Sequence, residues 1–172
     1  MRKDRSANFA DPPLIRHSCH MAISPAVLLV ELIMSADRMV QSAQNAPTIE
    51  GEWPPAVVLG HVSQVDEHVW LPRVTDMLEA HDSGQSAPQF TWWEPDPTAT
   101  YDAFKDMSLE QASAELMAGR TRLVTYLRGL EPDQWAAQGV HDTFGHIDVS
   151  ALLIEVLRHD EEHRASLVLT LD

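Results

Sequence analysis

The chain carries nine histidines, and two of them, His159 and His163, fall in the series Val149, Leu152, Val156, His159, His163, Leu167. Steps of three and four residues are the mark of a helix face turned toward a core. Residues four apart on a helix project from one side with Cβ atoms ~5–6 Å apart, so both imidazoles can converge on one ion. Burying two imidazoles with neither a partner nor an ion would leave polar groups unsatisfied. His61 interrupts a second apolar series, Val58, Val62, Val65 and Val69, and can enter the same core from another helix. Three imidazoles suit a borderline divalent metal, zinc or nickel, and leave further coordination positions for water or substrate. His68, one heptad after His61, competes as a ligand or as a residue supporting one. The opposing reading is a set of hydrogen-bonded core histidines with no metal bound.

Other metal chemistries fit less well. Cys19 is the only cysteine, which excludes a multi-cysteine zinc site and any intramolecular disulfide. A zincin protease needs Glu directly after the first histidine of His-Glu-x-x-His. In His159-Asp-Glu-Glu-His163 that place holds the shorter Asp160, and no third ligand occurs in the nine residues downstream. Di-iron bundles draw carboxylates from all four helices, with two Glu-x-x-His motifs. Here His61, His68 and His159 are preceded three residues earlier by Val58, Val65 and Val156, so the carboxylate-rich alternative fails.

Helices must position these rings, and the sequence marks where they begin and end. Ser24-Pro25 reads as an N-cap followed by proline at the first helical position, where its missing N–H costs nothing. The helix it opens runs to about residue 44 and buries Leu28, Leu29, Leu32, Ile33, Ala36 and Met39. A second helix opens after Trp53-Pro54-Pro55 and carries His61; Pro72 should kink or end it. The span from Asp82 to Asp106 holds Phe90, Trp92, Trp93, Tyr101 and Phe104 in a loop of unusual length, and such loops are often functional. Ser108 and Gln111 form a capping box for a third helix, with a stripe of Ala112, Leu116, Gly119, Leu123, Tyr126 and Leu130. Asp148 caps the fourth. No alternating run is long enough to propose a sheet. Four amphipathic helices bury their faces most simply as an all-α four-helix bundle, spanning 24–172 as one domain behind an N-terminal arm of residues 1–23.

Composition sets the company this bundle keeps. Of 172 residues, 44% are hydrophobic and 22% charged, and 12 basic against 26 acidic side chains leave a net charge of −14. Such a surface repels phosphate backbones and anionic membranes, so nucleic acid is excluded as the expected partner and a small-molecule substrate is favoured. No segment approaches the ~20 apolar residues that cross a bilayer, and Asp11, Pro12 and Pro13 interrupt any signal-peptide core. A soluble, cytoplasmic protein is expected, and apolar strips on bundles predict a homodimer.

The segment Trp53 to His61, followed by Gln64 and Glu67, together with His159-x-x-x-His163 after a glycine-containing loop, resembles the DinB-like superfamily of metal-binding four-helix bundles. The order of these motifs covers roughly residues 24 to 170. The resemblance implies His61, His159 and His163 as the metal-binding positions. It further implies a metal-dependent enzyme, with several members transferring or isomerising through a low-molecular-weight thiol such as bacillithiol or mycothiol. Metal-dependent hydrolysis and a non-catalytic, stress-associated metal-binding bundle are the alternatives; the latter predicts a fourth protein ligand, His68 or a carboxylate. Glu155, Asp160 or Glu162 could orient the ligand rings, and Arg120 or Arg122 could meet a substrate carboxylate. The aromatic loop could wall a pocket or plug the bundle, and His141 and His146 could approach the site.

Overall fold

The computed structural model describes residues 23–168, so Cys19 and nearly all of the expected arm lie outside the described residues. Helix α1, Pro25–Asn45, starts as expected, with the Ser24 hydroxyl accepting from the Val27 N–H at 3.4 Å. Leu28, Leu32, Ala36 and Met39 are buried along it. Helix α2, Pro55–Val65, succeeds the Pro54-Pro55 pair. The chain then passes through a π-helical turn, Asp66–Trp70, into α3, Leu71–Ser83. Pro72 has no N–H for the carbonyl four residues back, and its ring would crowd that carbonyl. Widening the turn ahead of it, with the Leu71 N–H reaching the Asp66 carbonyl, lets the helix continue. The α-helix opened at Pro55 thus stops at Val65, ahead of Pro72, and resumes after the π turn as α3. The wider turn also resets which residues face inward: Asp66, Val69 and Trp70 are buried, whereas His68 is exposed.

The span after α3 is not a plain loop. It contributes strand β1, Gln89–Phe90, and helix α4, Pro97–Phe104, capped by Asp96 through the Thr98 and Ala99 N–H groups. Helix α5, Leu109–Arg128, begins at the expected capping box: Ser108 Oγ accepts from Gln111 N at 3.1 Å and Gln111 Oε1 from Ser108 N at 3.0 Å. Strands β2, Gln138–His141, and β3, Gly145–Asp148, lead into α6, Val149–Val168. The Asp148 carboxylate caps α6 by accepting from Ala151 N at 2.7 Å.

The four long helical stretches, α1, α2–α3, α5 and α6, make the bundle, in which α1 packs on α6 and α5, and α2 on α5. The sheet, in order β1-β2-β3, corrects the expectation that none would form. Phe90 pairs with His141 in parallel, and β2 meets β3 antiparallel with Val140 opposite His146. Its strands of two to four residues are too short to show alternation, so only the pairing of distant segments reveals them. The apolar core has two parts. One holds Leu28, Leu32, Val69, Leu123, Val156 and the sheet's Phe90 and Ile147; the other holds Ala36, Met39, Val58, Val62, Leu116 and Leu167.

Between them lies a polar layer. Arg120, fully buried on α5, donates from Nε to Asp66 at 2.8 Å and from Nη1 to Asp160 at 2.7 Å and to the Leu32 carbonyl at 2.9 Å. This joins the π turn, α1, α5 and α6 at one point. Among the described residues no helix is long and apolar enough to cross a membrane.

Candidate metal centre

His61 projects from α2 and His159 and His163 from α6, and each offers a ligand atom within 4.8 Å of the others. The Nε2 atoms of His159 and His163 are 3.2 Å apart. Two nitrogens on one tetrahedral zinc at ~2.0–2.1 Å would stand roughly 3.3 Å apart, so the pair already has a suitable bite. The ring centroids of His61 lie 5.5 Å from His159 and 4.8 Å from His163. Burial, reinforced by the neighbouring imidazoles, pushes His61 and His159 down to about 3, and burial also lowers His163. All three rings are neutral at pH 7, as ligation requires. Nδ1 of His61 and Nδ1 of His159 are buried with no hydrogen-bond partner among the described residues; in His159 this is the ring nitrogen away from the Nε2 that faces His163, so Nε2 is the atom that ring offers an ion. The donor set therefore fits a divalent ion.

Among the described residues no cysteine, carboxylate or further histidine joins this cluster. His68 points to solvent, so it cannot close a fourth position. The carboxylates considered as supports for the rings are engaged elsewhere. Asp160 is held by Arg120, and Glu155 and Glu162 both pair with Arg158, at 2.7 and 2.6 Å.

Three tryptophans surround the rings. Trp93 stacks nearly parallel to His61, at 9° and 6.5 Å between centroids, and Trp53 meets the same ring edge-on at 5.4 Å. Trp70 meets His159 edge-on at 6.0 Å. Next to His61, Gly60 allows α4 to approach closely, since a Cβ there would come within 2.5 Å of the Phe104 ring. The result is a cavity of about 290 Å³ whose walls include all three histidines and tryptophans, together with Arg73, Phe144 and Arg158. Of the aromatic loop, Trp92 and Trp93 line it, whereas Phe90 is in the core and Tyr101 is exposed. His141 is buried against Phe144 at 4.5 Å and His146 is exposed; neither reaches the cluster. Arg122 is exposed, 3.8 Å from Glu67.

Sequence reasoning missed Trp53 and Trp70 as walls, Arg73 as a lining residue, and the Asp66–Arg120–Asp160 layer. For the last a signal was available. Arg120 falls four residues after Leu116 and three before Leu123, and Asp160 four after Val156, so both occupy positions of buried stripes. His159 and His163 flank that stripe on α6, which is why they open onto a cavity rather than into the core.

The fold agrees with what is similar to this chain. Its structure resembles YfiT from Bacillus subtilis, described as a probable metal-dependent hydrolase with an unusual four-helix bundle topology, at a TM-score of 0.62 and 17% identity over 86% of this chain and 87% of that one. It also resembles a mycothiol-dependent maleylpyruvate isomerase, at 0.57 and 12% identity, covering 86% of this chain but only 62% of that one. No curated protein matches significantly. A sequence profile of the DinB superfamily matches residues 30–167, most of the bundle and all three histidines, and the chain belongs to that superfamily.

Proposed function

We propose that this protein is a metal-dependent enzyme in which His61, His159 and His163 hold one divalent ion, zinc or nickel, that activates a low-molecular-weight thiol for transfer to a small electrophile. The observation that carries this reading is the convergence of three neutral imidazoles, with no fourth protein ligand among the described residues, opening onto a cavity of about 290 Å³. An ion held there would supply a lowered pKa for a thiol bound beside it. The chain supplies the rest. Trp53, Trp70 and Trp93 exclude water and offer flat apolar walls to the electrophile. Burial keeps the imidazoles unprotonated. The thiolate sulfur forms a bond to an electrophilic carbon, whose departing group leaves with the bonding electron pair and takes up a proton from solvent. Likeness to the mycothiol-dependent isomerase fold supports a thiol; the YfiT fold, whose length this chain nearly spans, favours hydrolysis as the second reading.

Zinc- and nickel-loaded protein should conjugate mycothiol, bacillithiol or a simpler cellular thiol to an electrophile panel, with thioether products seen by mass spectrometry. His159→Ala should lose both turnover and most bound metal by elemental analysis. Turnover without added thiol would favour the hydrolytic reading, and a metal-free protein that gains no ion on loading would overturn both.

A further inference from the structure

The cavity beside the three histidines has a second polar feature that the metal chemistry leaves unused. Arg73, on α3, is more than nine-tenths buried and lines the cavity wall. Its guanidinium makes one hydrogen bond among the described residues, from Nη2 to the Thr91 carbonyl at 2.7 Å. Among the described residues no carboxylate lies within 4 Å of it, unlike Arg120, which has two, and Arg158, which is exposed and paired with Glu155 and Glu162. Asp142 acts on it only from a longer range, and that carboxylate already accepts from the Trp92 N–H at 3.1 Å. A guanidinium carries five N–H donors, and a buried cation without a paired counter-ion is costly to keep. The cation is instead held between aromatic faces, its Cζ 5.4 Å from the Trp70 ring centroid and 5.5 Å from Phe90. This fixes its plane and leaves its donors short of an anion. Trp70, which also lines the cavity, has its indole N–H buried without an acceptor among the described residues. Beside the candidate reaction centre, then, the indole N–H of Trp70 lacks an acceptor among the described residues and the Arg73 guanidinium has donors beyond the one that Thr91 takes.

We infer that Arg73, with Trp70, is a binding site for the carboxylate of an organic ligand, and that the cavity takes a small acid whose apolar body lies against the tryptophans. The planar fork of arginine matches a carboxylate in two parallel hydrogen bonds. Arg73 is a specificity-determining residue, since it lies over the Trp70 ring in the cavity wall and is not among the three histidines. The inference rests on the reading of this cavity as the substrate chamber, but not on which reaction takes place there.

Benzoate and its neutral counterpart benzamide are the probes, titrated into the full chain with and without zinc and followed by calorimetry. Benzoate should bind the metal-free protein at least about tenfold more tightly than benzamide, a difference that corresponds to ~1.4 kcal/mol, so that direct ligation of the ion cannot account for it. Arg73→Met should abolish the preference while leaving zinc stoichiometry and the far-UV spectrum unchanged. Equal affinity for the two probes in the wild type, or a preference that survives in Arg73→Met, overturns the assignment. Should Arg73→Met not fold, Arg73→Lys serves. Losing the fork should weaken benzoate and leave benzamide alone, and an equal loss for both probes counts against the site. Benzoate binding that persists on zinc-loaded protein saturated with 2-mercaptoethanol places the carboxylate on the electrophile. Tighter binding of 3-mercaptopropionate than of 2-mercaptoethanol, lost in the variant, places it on the thiol. A carboxylate preference in protein that shows no thiol turnover supports this site and overturns the thiol reaction alone.

Discussion

A histidine can donate a lone pair to a metal only as the neutral ring, and here burial secures that form at His61, His159 and His163. The same burial has a consequence for the metal-free protein. In the folded chain His61 and His159 titrate at about 3 against an ordinary value of 6.5. Between those values the unfolded chain binds the more protons, so the unfolding free energy rises with pH across that window and levels off above it. The slope is on the order of 1 kcal/mol per pH unit for each histidine. Asp66, raised by burial to about 6 from 3.8, works in the opposite sense over its narrower range and offsets part of the gain. Urea unfolding of metal-free protein from pH 4 to 8 should therefore show stability lost on acidification through pH 6. A flat profile would mean that the rings are solvated in solution.

At the scale of elements, the buried layer of Asp66, Arg120 and Asp160 ties the π turn to α5 and α6 next to the histidines. Arg120 is deeply buried, and the two carboxylates together outweigh the cost of desolvation and hold its proton more firmly than usual. Removing the guanidinium leaves two buried carboxylates facing each other. Arg120→Met should cost about 3–5 kcal/mol of stability, measured by denaturant unfolding. Replacing all three with apolar side chains, as in Asp66→Leu, Arg120→Met and Asp160→Leu together, should recover most of that loss. A single-variant loss under about 1 kcal/mol would show that water already penetrates the layer. The α6 histidines take their direction from this layer, because fixing Asp160 toward Arg120 sets the rotation that places His159 and His163 at the cavity edge.

For the whole molecule, the expected homodimer has a candidate surface. Helix α1 exposes Val27, Val30 and Met34 at steps of three and four residues, and α6, packed beside it, exposes Ile154. Light scattering on a size-exclusion column should give twice the chain mass, and more completely in high salt, because a net charge of −14 opposes association and is screened by ions. Val30→Glu should shift the wild-type dimer to monomer. A wild-type protein that runs as a monomer at every concentration and salt would leave α1 an ordinary solvated face. The acidic charge also bears on the ligand. A carboxylic acid approaching this surface is repelled at long range, so its selection must come from a buried cation such as Arg73.

What the sequence alone determined is local. Ser24, the Ser108–Gln111 box and Asp148 mark helix starts because capping is settled within one turn. The four-residue spacing of His159 and His163 sets their common side for the same reason. The four-helix bundle came from stripes that each had to find a partner. The tertiary structure alone decided the rest, since it depends on contacts between distant segments. The sheet exists because residues 89–90 meet 138–141 across about fifty residues of chain. The π turn before Pro72 swings His68 out and Trp70 in, although an unbroken α-helical count puts His68 on the face of His61. Arg120, by its sequence a candidate for a substrate carboxylate, is locked between Asp66 and Asp160. Arg73 is instead the buried arginine at the cavity, because a charge's partners are chosen by packing, and packing is written in three dimensions rather than in spacing.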